Sequence, residues 1–574
     1  MILSITFAIS ELLAILELII LKHDDRKQSF ISRATFAILT IELLHALFLG
    51  ILNVVGVTYR LSLFTVFNFS FFIILEFIKR KYGKTGIQSF EINIFELIFI
   101  GLFVYSMYYF VVHYFTVDLI TRDPLGDAST HYYWAKKLAQ TGRILNGKYL
   151  GIMTGGIAMS FFSPWVNEFY YFKCFNLMQC YHLAMSILVF YSAGRLICKN
   201  NFSHIFLVIT TFLYAFGYPL YAIEFGFVYF GVSVTVINYM IFIFLLHENR
   251  LIDKKLMIIC ANLALYGVFV SYTLLVPAMY SGVFLYGIYL IRDKKGGVLD
   301  WILLELKMFI IPCLLGMLQT ASDAKEIGGG LGIDGGCYSD LYSNFILIMP
   351  VALCGLLLTI KYKRNIVVTA LGFSQLIGMA LFFFGAMKHK VSAYYYMKNN
   401  NVLWLLCFIL GLVVIEIASE KHRYVIYSYA LSIAFLLTML FVGDDKIKEH
   451  NNRMIAVDST NIINIYYFTW NYFSYPQFNK NVIELYNYAY NNMSNPSKGI
   501  VVGTEIFNRW FSAIMDSEKS YAYGDLEEYK KQISEDTEYV CIINSDAYYK
   551  NQEYFDSLDQ VVYTNGAGTV VKLK

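Results

Sequence analysis

The sequence predicts an α-helical protein that crosses a membrane many times and ends in a small, water-soluble α/β domain. Of its 574 residues 57% are hydrophobic and only 15% charged, whereas soluble domains carry about 25% charged residues. The deficit is spread over the first three-quarters of the chain, and the mean hydropathy is +0.53. Apolar stretches of spanning length recur through that part. The last part, 443–574, is acidic and rich in Tyr and Asn.

Runs of about 17–25 apolar residues bounded by charge are candidate spans. They lie near 1–21, 34–54, 61–78, 93–115, 174–197, 204–222, 226–246, 256–275, 277–291, 301–320, 342–360, 365–386, 401–419 and 424–442, about fourteen in all. The pair around Pro277 reads equally as one kinked helix or two short ones. The first run has no basic region ahead of it and no small-residue cleavage site, so it reads as a span rather than a signal peptide.

Lys and Arg collect in the short loops 22–33, 79–84, 195–199, 250–255, 292–295, 361–364 and 421–423. All fall on one side in this count, which makes that side cytoplasmic. The N-terminus, the long loop 116–173, the Gly-rich loop 321–341, the loop 387–400 and the tail then face outwards. Three units follow: an N-terminal module of three spans (1–92), a larger membrane region with its long outer loop (93–442), and an extracytoplasmic α/β domain (443–574). In the tail, β-like runs at 500–503, 539–543, 561–563 and 569–573 alternate with helical patterns near 482–493 and 526–534, as in a small α/β domain.

Composition also excludes some functions. A net charge of +3 gives no electrostatic footprint for nucleic acid. Nine cysteines without a CxxC pair argue against a zinc site or disulfide scaffold. The run 327–336 lacks the GKS/T ending of a phosphate-binding loop, and reads as a lid or a plain connector. The stretch 151–165, with Gly155, Gly156 and Pro164, is too broken for a clean span and reads as a re-entrant or surface helix.

The most informative stretch is TRDPLGDASTHYYWAKKLAQTGR, residues 121–143. Pro124 and Gly126 set a turn, and Asp127 stands where a helix N-cap would be. Positions 128, 131/132, 135 and 138/139 share one face, and Gly142 ends the run. Tyr132, Tyr133 and Trp134 are expected to hold this helix along the membrane surface. Asp127 and His131 stand one turn apart. Residue chemistry leaves two readings: a cap with an interfacial histidine, or a catalytic carboxylate with a polar neighbour.

An acid in the first long outer loop, followed by His131, Lys136, Lys137, Leu138 and Gly142, resembles the GT-C superfamily of membrane glycosyltransferases. The many spans and the outer C-terminal domain resemble it too. The resemblance implies an enzyme that takes a sugar from a polyprenyl-phosphate carrier at the outer face and passes it, with inversion, to a cell-surface glycan or polymer. The sequence departs from that pattern in two ways. Three spans precede the one leading into the acidic loop, and no Asp-Asp or Asp-Glu pair stands at the key position. Asp127 is the first candidate for the base and Asp123 the second, because a positioned carboxylate can take the proton of an attacking hydroxyl.

The leaving lipid phosphate needs cationic partners. Lys388, Lys390 and Lys398 lie in an outer loop, against the positive-inside trend. The loop resembles a Tyr-Tyr-x-x-Lys pattern of arabinosyltransferase-like GT-C families, with Lys398 as the lysine and Tyr395 and Tyr396 assigned as the tyrosine pair. The other reading makes these residues headgroup contacts and an aromatic belt. His131 and Glu224, at the outer end of a span, complete the substrate-binding candidates. No ligand cluster demands a metal, though a divalent ion beside the acidic loop is compatible with the sequence.

An Ile-, Lys-, Asn- and Tyr-rich composition points to an AT-rich bacterial genome and so to undecaprenyl phosphate as carrier. Two other readings remain. A polysaccharide polymerase or ligase predicts arginines in late outer loops, where this sequence has lysines. A lipid-linked-sugar transporter or flippase predicts broken helices in matching halves, and no internal repeat is visible.

Overall fold

The computed structural model describes residues 1–21, 26–81, 86–116, 118–120, 127–144, 150–293, 296–320, 337–338, 345, 348–420, 454–455, 465, 478–517, 525–534, 536–558 and 560–573. The membrane region is built from α1 (Ile2–Ile20), α2 (Phe30–Val54), α3 (Leu61–Lys81), α4 (Ile94–Phe110), α5 (Asp127–Thr141) and α6 (Leu150–Phe162). It continues with α7 (Tyr171–Ile197), α8 (Asn201–Ala215), α9 (Tyr218–Glu224), α10 (Val228–Glu248), α11 (Lys254–Ser271) and α12 (Val276–Asp293). Then come α13 (Val298–Thr320), α14 (Ile348–Tyr362), α15 (Ile366–Met387), α16 (Ala393–Lys398) and α17 (Asn400–Glu420).

Among the described residues, twelve helical segments are long and apolar enough to cross a membrane. They match twelve of the stretches expected from the sequence. Of the eleventh expectation, 342–360, the described part is the apolar helix Ile348–Tyr362, and most of 342–347 lies outside the described residues. The fourteenth, 424–442, lies outside the described residues, as does most of the Gly-rich loop. Around Pro277 the chain forms two helices, α11 and α12, joined by a 3-10 turn at Thr273–Leu275. The stretch after Leu150 is a 13-residue helix, α6.

Polar caps start several spans. The side chains of Asn93, Asn200 and Asp253 accept the backbone N–H of Glu96, Ser203 and Leu256 at 2.8–2.9 Å. α10 is apolar all round, and every residue from Val232 to Leu246 is buried, so it is the central post of the bundle. α3, α4 and α13 instead turn large apolar side chains outward, among them Phe77, Val104 and Leu314. Such faces are compatible with lipid rather than water.

The C-terminal domain contains β1 (Gly499–Val502), β2 (Tyr539–Ile543), β3 (Gln560–Asn565) and β4 (Gly568–Lys572), in the order β1-β2-β4-β3. β1 and β2 are parallel, with Ile500 opposite Val540; the other pairings are antiparallel. Its main helices are α18 (Lys480–Asn492), α19 (Glu505–Met515) and α20 (Leu526–Ser534). Alternate strand residues feed two cores. Val501, Cys541 and Val570 join Tyr486 and Phe511 on the face of α18 and α19, while Val502, Val540 and Ile542 join Tyr529 on the other. The strands and helices α18 and α20 match the sequence expectation. α19 was not expected, and it is the element that packs on α5.

Candidate active site

The site is assembled where α5 begins, where α9 turns into α10, and where α16 ends. α5 buries Ala128, His131, Tyr132, Ala135 and Leu138, the face its spacing predicts. Its middle packs on α6, where Gly155 and Gly156 leave room for Ala135 and Leu138; a Cβ at Gly156 would fall 2.7 Å from Leu138. Its first turn meets Gly226. That residue has φ +70°, and a Cβ there would lie 2.5 Å from the Ala128 nitrogen. Glycine is needed on both counts.

The Gly226 carbonyl accepts a hydrogen bond from His131 Nδ1 at 2.9 Å. A carbonyl can only accept, so Nδ1 carries the proton and Nε2 is the acceptor side of a neutral ring. Burial pushes the imidazole down to about 3, with nearby Lys398 adding to the shift and the Gly226 carbonyl opposing it. The ring meets Tyr229 edge-on at 4.7 Å. Tyr229 in turn accepts from Lys398 Nζ at 3.1 Å.

Lys398 is 3% exposed. Its ammonium is surrounded by the rings of Tyr394 (4.4 Å), Phe227 (4.8 Å), Tyr272 (5.1 Å), Tyr229 (5.4 Å) and Phe230 (5.9 Å). Aromatic faces attract a cation and shield it from water. No carboxylate among the described residues pairs with it directly.

Asp127 is the first residue of α5, and its side chain keeps 41% of its surface accessible. Protein crowds its other sides. That burial raises its carboxyl above the ordinary range, Lys398 and Arg509 oppose the rise, and Glu505 adds to it. Arg509, from α19, stands 3.8 Å from Asp127 Oδ1 and also pairs with Glu505.

α19 is latched to α5 further along. Lys136, 1% exposed, donates to the Ile514 carbonyl at 2.8 Å and to Asp516 Oδ2 at 3.1 Å. These acceptors close the C-terminus of α19, where carbonyls lack helical partners and a cation is favoured. Burial lowers the Lys136 ammonium's pKa, and Asp516 opposes that. Lys137 holds the second oxygen of Asp516 at 3.1 Å.

The expected residues are therefore only partly brought together. Asp127, His131 and Lys398 form one cluster. Glu224 is fully buried at the end of α9, and neither of its oxygens has a hydrogen-bond partner among the described residues. It joins neither Asp127 nor Lys398. Lys388 and Lys390 are exposed, and no side-chain hydrogen bond or ion pair holds them among the described residues. Asp123 lies outside the described residues.

Two expectations about aromatic residues are corrected. Counting back from Lys398, the Tyr-Tyr-x-x-Lys spacing gives Tyr394 and Tyr395, and Tyr394 is the ring over the ammonium. Tyr396 is buried instead against Phe383, with ring centroids 5.8 Å apart. Tyr132 is not a membrane-surface anchor: it is fully buried and stacks on Trp510 of α19 at 5.5 Å. The sequence reading also missed Arg509, Glu505 and the ring cage. The spacing of Ile506, Phe507, Trp510, Phe511 and Ile514 was the available signal for α19, an amphipathic helix.

Among the described residues no group of three or more His, Cys, Asp or Glu side chains is placed to hold a metal. Asp127, with Arg509 and Lys398 near it, suits an anion better than a third cation.

No protein-family model and no curated protein matches the sequence. Solved structures do. The oligosaccharyltransferase of Archaeoglobus fulgidus in its apo form matches with a TM-score of 0.46 and 11% identity, over 80% of this chain and 70% of that one. The archaeal oligosaccharyltransferase AglB of the same organism, solved with an inhibitory peptide and a dolichol-phosphate, gives 0.45 and 10%, over 81% and 71%. Apo ArnT of Cupriavidus metallidurans gives 0.44 and 11%, over 82% and 97%.

Proposed function

We propose that the chain is a membrane glycosyltransferase that moves a sugar from a polyprenyl-phosphate carrier to a hydroxyl of a cell-surface glycan or polymer, on the outer side of the membrane. One observation carries this reading: a partly accessible carboxylate, Asp127, has the caged ammonium of Lys398 and the guanidinium of Arg509 in its electrostatic reach.

The chemistry needs those groups. Asp127 takes the proton of the acceptor hydroxyl as its oxygen bonds to the anomeric carbon. The bond from that carbon to the phosphate oxygen breaks, and the phosphate leaves with the electron pair. Lys398 and Arg509 favour the charge that collects on it. Attack opposite the leaving group inverts the anomeric centre. Neutral His131 holds the turn at Gly226 against α5, which places Tyr229 and, through it, Lys398. The aromatic cage offers faces to a sugar ring or to the isoprenoid. With Lys-rich loops on the cytoplasmic side, this cluster faces outwards. The AT-rich-genome composition makes undecaprenyl phosphate the bacterial carrier that fits.

The test is Asp127→Asn in the full-length protein, supplied with a lipid-phosphate sugar donor. Loss of transfer by about 100-fold or more, with normal membrane insertion, is expected. Retained transfer would move the role to Asp123 or remove the reading.

A further inference from the structure

At the end of the bundle opposite Asp127 lies a cavity of about 620 Å³, bounded by the ends of α7, α10 and α12, the start of α15, and α17. Lys199, Arg250, Lys363 and Arg364 line it, with Glu248 and Glu416 as the acidic side chains. Those two carboxylates are committed elsewhere. Glu416 Oε2 accepts from the Lys199 backbone N–H (3.0 Å), Asn200 Nδ2 (3.0 Å) and Ser203 Oγ (2.6 Å), at the start of α8. Glu248 Oε1 accepts the Val367 N–H at 2.9 Å, at the start of α15. Among the described residues, Lys199, Arg250 and Lys363 form no ion pair within 4.0 Å. Lys199 Nζ donates instead to Asn249 Oδ1 at 3.0 Å.

The backbone presents two of these cations, Arg250 and Lys363, in a costly conformation. Arg250, Lys363 and Asn365 have φ of 59°, 52° and 52°, a left-handed region that side chains other than glycine seldom adopt. Arg26 secures one of these turns from a distant element by donating to the carbonyls of Asn249 and Arg250. Behind the charged rim the wall is apolar and aromatic, with Tyr289, Leu290 and Val413. Cations on a pinned rim, committed carboxylates and an apolar floor suit an anion joined to an apolar or planar body.

We propose that this cavity is a second binding site, separate from the Asp127 cluster, and that it takes a phosphate ester. Guanidinium forks and ammonium groups together match the oxygens of a phosphate. The ester has two possible sources: the headgroup of a lipid phosphate entering between helices, or a soluble nucleotide.

Photo-crosslinking of the full chain in phosphatidylcholine nanodiscs separates these cases, with diazirine-tagged farnesyl phosphate and azido-UMP as probes. Adducts are expected on the 286–290 or 413–417 segments. They should fall about 30-fold in a Lys199→Gln/Lys363→Gln variant, at about fivefold per cation. Labelling at the Asp127 end should be unchanged in that variant. Adducts from farnesyl phosphate that farnesol cannot displace assign a lipid phosphate; adducts from azido-UMP assign a soluble one. Absence of adducts from both probes at this cavity, or adducts that the charge-neutral variant retains, overturns the proposal. Labelling confined to the Asp127 end overturns it while leaving the glycosyltransferase reading intact.

Discussion

Arg509 of the C-terminal domain stands 3.8 Å from Asp127 at the head of α5. A half-exposed pair at that distance contributes about 1 kcal/mol or less to stability, so its consequence is local. It places a mobile-length cation where it acts on the ionisation of the candidate base.

The pH dependence of transfer should report that pair. Burial raises the Asp127 carboxyl, Lys398 and Arg509 pull it down, and Glu505 pushes it up. Removing a cation therefore raises it further, and a base with a raised pKa is protonated at a higher pH. Arg509→Gln should move the acid limb of kcat/KM to higher pH, and Glu505→Gln to lower pH. Profiles across the acid and neutral range check this. Shifts in the same direction would show that neither side chain reaches the ionisation on which transfer depends.

Lys398→Met keeps most of the side-chain volume inside the ring cage and removes the charge together with its hydrogen bond to Tyr229. A buried cation of purely structural use would be neutral or even destabilising to the fold, so its loss should leave stability intact or improved. A cation that holds the donor phosphate should instead raise donor KM roughly 10–100-fold, with acceptor KM little changed. Steady-state kinetics in both substrates separate the two roles. An unchanged donor KM would remove Lys398 from phosphate binding.

Much of the membrane region was legible because hydrocarbon imposes a length and an apolar composition that a single sequence displays directly. The buried face of α5 was legible from its period, and the strands of the tail from their short β-branched runs. The partners of the site were not. Arg509 and Glu505 lie in a domain far along the chain, and nothing in their local sequence says which helix α19 packs on. Tyr229, Phe227 and Tyr272 sit in ordinary apolar runs, where an aromatic residue is unremarked until the ammonium it surrounds is placed. Glu224 shows the converse. A charge at a span edge invites a functional reading, yet the fold buries it fully, with no hydrogen bond to Asp127 or Lys398 among the described residues.

Docking of the C-terminal domain should depend on Lys136. Lys136→Met leaves the last carbonyls of α19 without their donor, while Asp516 retains Lys137. The loss of one charge-assisted bond to a buried carbonyl costs about 1–3 kcal/mol. The expected result is faster proteolytic cleavage around residues 505–517 and lower kcat, with the membrane region still folded. Cleavage at the wild-type rate would show that Tyr132 and Trp510 hold the two parts together without the latch.

Gly226→Ala tests the joint on which the cluster is built. The residue is left-handed, at φ +70°, and its added Cβ would meet the Ala128 nitrogen at 2.5 Å. An alanine in that conformation costs about 1–2 kcal/mol before any clash, and the clash is with backbone, which cannot rotate away. The first turn of α5 must therefore shift, taking Asp127 with it and lengthening the bond from His131 to the Gly226 carbonyl. Gly231→Ala is the control: it lies within α10, and its Cβ would meet the Ala222 methyl at 3.3 Å, tight but without a left-handed backbone. Thermal unfolding should show Gly226→Ala less stable than Gly231→Ala, and kcat should fall about 100-fold in the first but little in the second. A folded Gly226→Ala protein with normal kcat would mean that the geometry around Asp127 is set elsewhere than at this turn.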